Sequence, residues 1–81
     1  MSDLRAPQTV SISHQPVELY KILKFEGLVD SGAQAKLVID EGLVVVNGQV
    51  ETRRRRKIIH GDLIDFDNLS LAIVLSLEAS S

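Results

Sequence analysis

The run GLVVVNGQVETRRRRK, residues 42 to 57, constrains this chain more than any other stretch. Leu43-Val44-Val45-Val46 is apolar and largely β-branched, which suits a strand with at least one buried face. Asn47-Gly48 follows, and both residue types tolerate positive φ at low cost. A two-residue type I′ turn needs positive φ at both central positions, so this pair predicts a hairpin with Val44 and Val46 pointing into the core. Gln49 to Thr52 is predicted to return as the partner strand. Out of it run five consecutive cations, Arg53, Arg54, Arg55, Arg56 and Lys57. Charge placed on a hairpin that a folded core must hold suggests a fixed cationic surface rather than a charged tail.

Eighty-one residues make one domain, 1–81, near the lower end of what a single core stabilises unaided. With no cysteine, neither disulfides nor thiolate metal sites can help. Tyr20, Phe25 and Phe66 are the only aromatics, so the core is mainly aliphatic. At least two of the three are expected inside, which leaves little on which to stack unpaired bases. The net charge of −2 argues weakly against nucleic acid, but its distribution says more. Eight of the nine basic residues lie between Lys21 and Lys57, whereas Asp62, Asp65, Asp67 and Glu78 load the C-terminal part with acid. One cationic face on an acidic body fits that asymmetry. No segment is long and apolar enough to span a membrane, and the N-terminus lacks the apolar stretch of a secretory signal. A cytoplasmic monomer is the default expectation.

Residues 1–8 are polar, contain Pro7 and are expected to be loose. Thr9 to Ser13 alternates polar and apolar as a half-buried strand does, and His14-Gln15-Pro16 breaks it. From Val17 the spacing becomes helical: Leu19, Ile22 and Leu23 share one face, Lys21 and Lys24 turn away from it, and Gly27 sits where a C-cap belongs. Ser31 and Gln34 form an S-x-x-Q capping box opening a second helix, with Ala35, Val38 and Ile39 as its apolar face and Gly42 as its stop. Beyond the basic run, His60-Gly61-Asp62 reads as a turn and Leu63 to Phe66 as a strand. Asp67-Asn68 is a further turn before a last strand within Leu69 to Leu77. The architecture is α+β, two short helices packed on a small, mostly antiparallel sheet.

Enzymatic chemistry finds little support. His14 and His60 sit beside turn residues, with no nearby nucleophile and no second ligand at metal-binding spacing; solvated loop histidines account for both. Asp65 and Asp67 could share one strand face, where they would discourage edge-to-edge pairing. No catalytic residue, metal site or cofactor is expected. The basic run has three uses open to it. It could block aggregation at an edge, which needs one or two charges rather than five. It could be a localisation tag, which is usually flexible. As a phosphate-binding surface it would be held rigidly, with strand alternation placing about half of the side chains on one face. Lys36, near the start of the second helix, could join them.

Four stretches in order strengthen the last use. E-L-Y-K-I-L, Glu18 to Leu23, is followed by G-L-V-D-S-G-A-Q-A-K-L-V-I from Gly27 to Ile39. G-L-V-V-V-N-G spans Gly42 to Gly48, and H-G-D-L-I closes the set from His60 to Ile64. Together they resemble the S-four RNA-binding domain, named after a small-subunit ribosomal protein, over residues 18–64. The pairing of S-G-A-Q-A-K with V-E-T-R-R-R-R-K resembles the small stand-alone bacterial proteins of the YbcJ type. The resemblance implies binding of RNA through a two-helix unit and the following hairpin, the alpha-L motif. It implies that Ser31 caps the second helix, that Lys36 faces RNA and that Asn47-Gly48 shapes the turn. Gly32, Val45 and Glu18 stand where relatives often have basic residues, which leaves Arg53 to Lys57 to supply the charge. The expected RNA-binding set is therefore Lys21, Lys24, Ser31, Gln34, Lys36, Arg53, Arg54, Arg55, Arg56 and Lys57.

The function expected from this set is recognition of structured RNA, ribosomal or transfer RNA, by charge and A-form shape and without catalysis. The rival is a protein-interaction adapter that uses an exposed sheet edge or the acidic face. An enzyme is a weaker third.

Overall fold

The chain, described by a computed structural model over residues 7–76, is built on one five-stranded sheet and two short helices. The segment expected to be loose lies outside the described residues as far as residue 6, and Gln8 already belongs to the first strand. Leu77, at the expected end of the last strand, also lies outside them.

Strand β1 (Gln8–Ile12) follows the polar–apolar alternation, with Val10 buried. The chain then forms a short strand β2 (Val17–Glu18) before helix α1 (Leu19–Phe25), so the helix expected from Val17 starts two residues later. Tertiary pairing explains the delay: β2 is held extended by an antiparallel partner, β5 (Lys57–Ile58), with Val17 opposite Ile58 and Glu18 opposite Lys57. Helix α2 (Gly32–Asp40) begins at the expected cap, where the Ser31 hydroxyl accepts the Gln34 N–H at 3.1 Å. Gln34 Oε1 reaches back one residue further than in a standard capping box and accepts the Asp30 N–H at 2.9 Å. Both helices end in a Schellman motif. Gly27 and Gly42 adopt φ of 74° and 76°, letting each glycine N–H and the N–H after it return to the last-turn carbonyls.

The hairpin forms as the residue chemistry predicts. Strand β3 (Val44–Val46) turns through Asn47 (φ 53°) and Gly48 (φ 84°) into β4 (Gln49–Val50). Strand β6 (Leu63–Phe66) pairs antiparallel with β3, and a second two-residue turn, Asp67-Asn68, leads to β7 (Leu69–Leu75). Asp67 has φ of 52° and lies in that turn, so it does not share a strand face with Asp65. The sheet order is β1-β7-β6-β3-β4, antiparallel throughout except where β1 runs parallel to β7.

Alternation places Val10, Val44, Val46, Ile64, Leu71 and Ile73 on one buried side, in one cluster with Leu19, Ile22 and Leu23 of α1 and Ala35 and Ile39 of α2. Burying each such aliphatic side chain contributes about 1.5–3 kcal/mol. The aromatics depart from expectation. Tyr20 and Phe66 are only half-buried, and Phe25 is 68% exposed at the end of α1, where the helix face turns away from the core.

Asn47 also joins two of the recognised stretches. Its N–H donates to the Leu63 carbonyl at 2.8 Å and its Oδ1 accepts the Leu63 N–H at 2.9 Å. Its Nδ2 donates to Asp62 Oδ1 at 2.9 Å, while Asp62 Oδ2 accepts the Ile59 N–H at 3.0 Å. The two turns are therefore one hydrogen-bonded unit. Asn47→Ala should destabilise by about 2–3 kcal/mol, combining strain at positive φ with lost hydrogen bonds, whereas Asn47→Gly should lose only the bonds, about 1–2 kcal/mol. Denaturant unfolding of both variants checks this, and equal costs would show that backbone strain plays no part.

Candidate nucleic-acid interface

The basic run is a turn and not a strand. Strand β4 ends at Val50, the Arg56 N–H closes back on the Arg53 carbonyl at 3.2 Å, and strand geometry resumes only at Lys57. The alternation expected to divide the five cations between two faces therefore does not apply. What holds the turn is helix α1. Its N-cap, Glu18, makes no side-chain cap, so the first N–H groups of the helix need acceptors from elsewhere. Leu19 N–H donates to the Arg56 carbonyl at 2.9 Å, and Tyr20 N–H donates to the Arg54 carbonyl at 3.2 Å. The backbone of the arginine turn is the cap of α1.

The side chains are held as well. Glu51, only 7% exposed, takes both Arg53 Nε at 2.8 Å and Arg53 Nη2 at 3.1 Å, the Arg53 backbone N–H at 3.0 Å and Arg56 Nη1 at 2.7 Å. Forked arginine–carboxylate bonds of this kind are stronger and more directional than neutral ones. The Arg53 side chain, the Arg53 backbone N–H and the Arg56 side chain hold the Glu51 carboxyl down at about 2, against the opposing effect of burial. Arg54 makes a second fork, to Asp40 on the last turn of α2, at 3.1 and 2.8 Å. This pair is open to solvent, with side chains 51% and 40% exposed, and Arg54 lowers the Asp40 carboxyl below its ordinary range.

Lys36, one turn before Asp40 on α2, lies with its Nζ 4.8 Å from the centre of the Tyr20 ring. Lys21 Nζ stands 6.0 Å from the same ring and 3.6 Å from Glu18. Tyr20 thus brings α1, α2 and the turn together: a lysine from each helix near its ring, and its own N–H on the Arg54 carbonyl. Arg55 and Lys57 are exposed, and neither is in an ion pair among the described residues. Lys24 is exposed in the last turn of α1. Ser31 and Gln34 direct their side chains into the cap of α2.

Exposed Phe25 borders a groove of about 600 Å³ between β1 and α1, whose rim includes Lys21 and Lys57. His60 is exposed in its turn, and its Nδ1 accepts the Leu75 N–H at 3.1 Å. Among the described residues no three histidine or acidic side chains gather to hold a metal ion. No helix among them is long and apolar enough to cross a membrane.

Sequence reasoning missed Glu51, Asp40 and Tyr20. Glu51 could have been noticed as the one acid entering the run, two residues before Arg53. The Asp40–Arg54 contact spans fourteen residues and leaves no local trace.

A two-helix unit leading into a hairpin, with cations on both helices and on the following turn, defines a class of small domain. The S4 domain family matches residues 10–74, and the chain belongs to it. It is similar to "Putative RNA-binding protein YbcJ" of Escherichia coli, with 51% identity over 61 residues that cover 75% of this chain and 87% of that protein. It is also 33% identical over 58 residues to "Probable ribosome maturation protein RlbA" of Bacillus subtilis, covering 72% and 82%. The solution structure of E. coli YbcJ, described as having an alpha-L motif involved in RNA-binding, superposes with a TM-score of 0.66 at 44% identity. That superposition covers 91% of this chain and 95% of the other.

Because the Glu51 carboxyl is depressed from 4.5 to about 2 on folding, it stabilises the fold fully above about pH 4.5 and loses that effect as pH falls toward 2. Glu51→Gln should therefore melt below the parent protein at pH 7, with the gap closing between pH 4.5 and 2. Thermal melts across that range test it; a gap independent of pH would mean that ionised Glu51 is not the stabilising form.

Proposed function

We propose that this chain is an RNA-binding module without catalysis, cytoplasmic and monomeric, that recognises structured RNA through the surface formed by α1, α2 and the arginine turn. The observation that carries this reading is the convergence at Tyr20. Lys36 stands over its ring and the Arg54 carbonyl accepts its N–H, which brings residues 36 and 54 to one place, with Arg55 exposed on the same turn and Lys57 exposed at the start of β5. A rigid set of cations fits the phosphate spacing of a folded RNA better than a flexible tail, because its ordering has been completed in folding. The names of the relatives, "Putative RNA-binding protein YbcJ" and "Probable ribosome maturation protein RlbA", support the same reading. The latter favours ribosomal RNA over transfer RNA as the structured target.

A different observation favours the adapter reading. Phe25 is exposed beside a groove against β1, an edge strand of the sheet, and a partner protein could cover both. The two readings differ in salt dependence, since phosphate binding releases counterions and apolar docking does not.

With Lys36, Arg54, Arg55 and Lys57 on phosphates, log affinity for a structured ribosomal RNA fragment should fall with log salt at a slope of about −3 to −4. The double reversal Arg55→Glu/Lys57→Glu should remove most binding and flatten the slope while leaving the melting temperature nearly unchanged, because solvated charges contribute little to folding. Binding with parental affinity and slope in that variant would place the RNA elsewhere. A single-stranded pyrimidine oligonucleotide should compete poorly at equal nucleotide concentration, and effective competition would refute recognition by fold.

A further inference from the structure

We propose that two carboxylates inside the basic surface act on RNA binding in opposite directions, Glu51 positioning the arginine turn for RNA and Asp40 occupying Arg54 until an RNA phosphate replaces it. The inference rests on the RNA-binding reading above and asks how that surface is tuned.

The two acids meet arginines in similar forks but in different surroundings. Glu51 is buried, is surrounded by three donors from Arg53 and one from Arg56, and lies at the base of the turn. Buried as it is, the Glu51 carboxylate cannot swing out to solvent without opening the base of the turn. Its four bonds fix the backbone at Arg53 and the side chain of Arg56, and through them the direction in which Arg55 and Lys57 leave the turn. The same turn holds α1 through the Arg54 and Arg56 carbonyls. Glu51 is thus a positioning residue, acting on RNA through the shape of the turn.

Asp40 is on the surface, half-exposed, and reaches Arg54 from another element. A carboxylate forked onto Nε and Nη2 of a guanidinium presents two oxygens as a phosphate does, so RNA phosphate can take the same fork. An exposed pair of this kind contributes little to folding, so its replacement has little structural cost. Lys36 lies one turn away on α2, so a phosphate that displaces Asp40 from Arg54 arrives between two cations and beside one acid. Removing the acid should favour that phosphate.

The test uses the full chain and a structured ribosomal RNA fragment, with Asp40→Asn and Glu51→Gln compared at pH 7. Each substitution removes one negative charge, so simple charge counting predicts that both bind RNA more tightly by a similar factor. We expect opposite signs: roughly three- to tenfold tighter binding for Asp40→Asn and a loss of similar size for Glu51→Gln, as for gaining or losing one phosphate contact. Amide and arginine Nε NMR signals of residues 51–57 report whether Glu51→Gln has rearranged the turn while the sheet signals stay in place. If Glu51→Gln fails to fold, Arg56→Lys takes its role. That variant keeps the charge, removes only the guanidinium bond to Glu51, and should weaken binding about threefold while the Arg53 Nε signal shifts. Equal gains for the two acid variants, or no change in either, would overturn the proposal while leaving RNA binding intact. Failure of the parent protein to bind any structured RNA would instead overturn the functional reading on which it rests.

Discussion

Two hydrogen bonds hold the functional side of this protein in shape. The N–H groups of Leu19 and Tyr20, the first two of α1, donate to carbonyls of the arginine turn rather than to a capping side chain. A helix start buried without acceptors is costly, and here the acceptors, Arg56 for Leu19 and Arg54 for Tyr20, come from far later in the chain. Turn and helix each need the other. The short β2–β5 pair extends the same contact, bringing Glu18 opposite Lys57 and Val17 opposite Ile58. Five adjacent cations repel one another, and this arrangement explains how they can nevertheless be held at fixed positions.

Repulsion is also reduced at the side chains. Glu51 takes two of the five cations and Asp40 a third, so the local excess of positive charge is smaller than the run of letters suggests. The two members with no acid partner among the described residues, Arg55 and Lys57, together with Lys36 above Tyr20, are where the surface has most freedom to meet a ligand. An arginine-rich run in a fold is therefore not a uniform patch. Some of its members build the platform and others stand on it.

Much of the framework was legible from residue chemistry. Asn47-Gly48 demanded a tight hairpin, Ser31 with Gln34 demanded a helix start, and Gly27 and Gly42 demanded helix ends; each depends on φ preferences or on bonds spanning a few residues. The alternation in β1 and the inward Val44 and Val46 of β3 gave the buried side of the sheet. The resemblance over residues 18–64 pointed to the family that residues 10–74 match. Less legible was anything decided across the sheet. The helix expected from Val17 yielded to pairing with Ile58, and Phe25 proved exposed because its position on α1 is off the face that carries Leu19, Ile22 and Leu23. The basic run looked like a strand because it followed one, but its backbone answers to α1.

What the sequence determined by itself was local and periodic: which residues turn, which cap, which side of each strand is apolar, and how much positive charge one stretch carries. Those properties follow from steric limits on φ and from the solvent preference of side chains, and both act over a few residues. Only the tertiary structure decided which of the cations are committed to acids and which have no acid partner among the described residues. That division depends on Glu51 being buried beneath the turn and on Asp40 reaching Arg54 from another helix, and neither is fixed until the chain has folded back on itself. The strength of a charge pair is set by distance and by exclusion of water, and no one-dimensional spacing contains either.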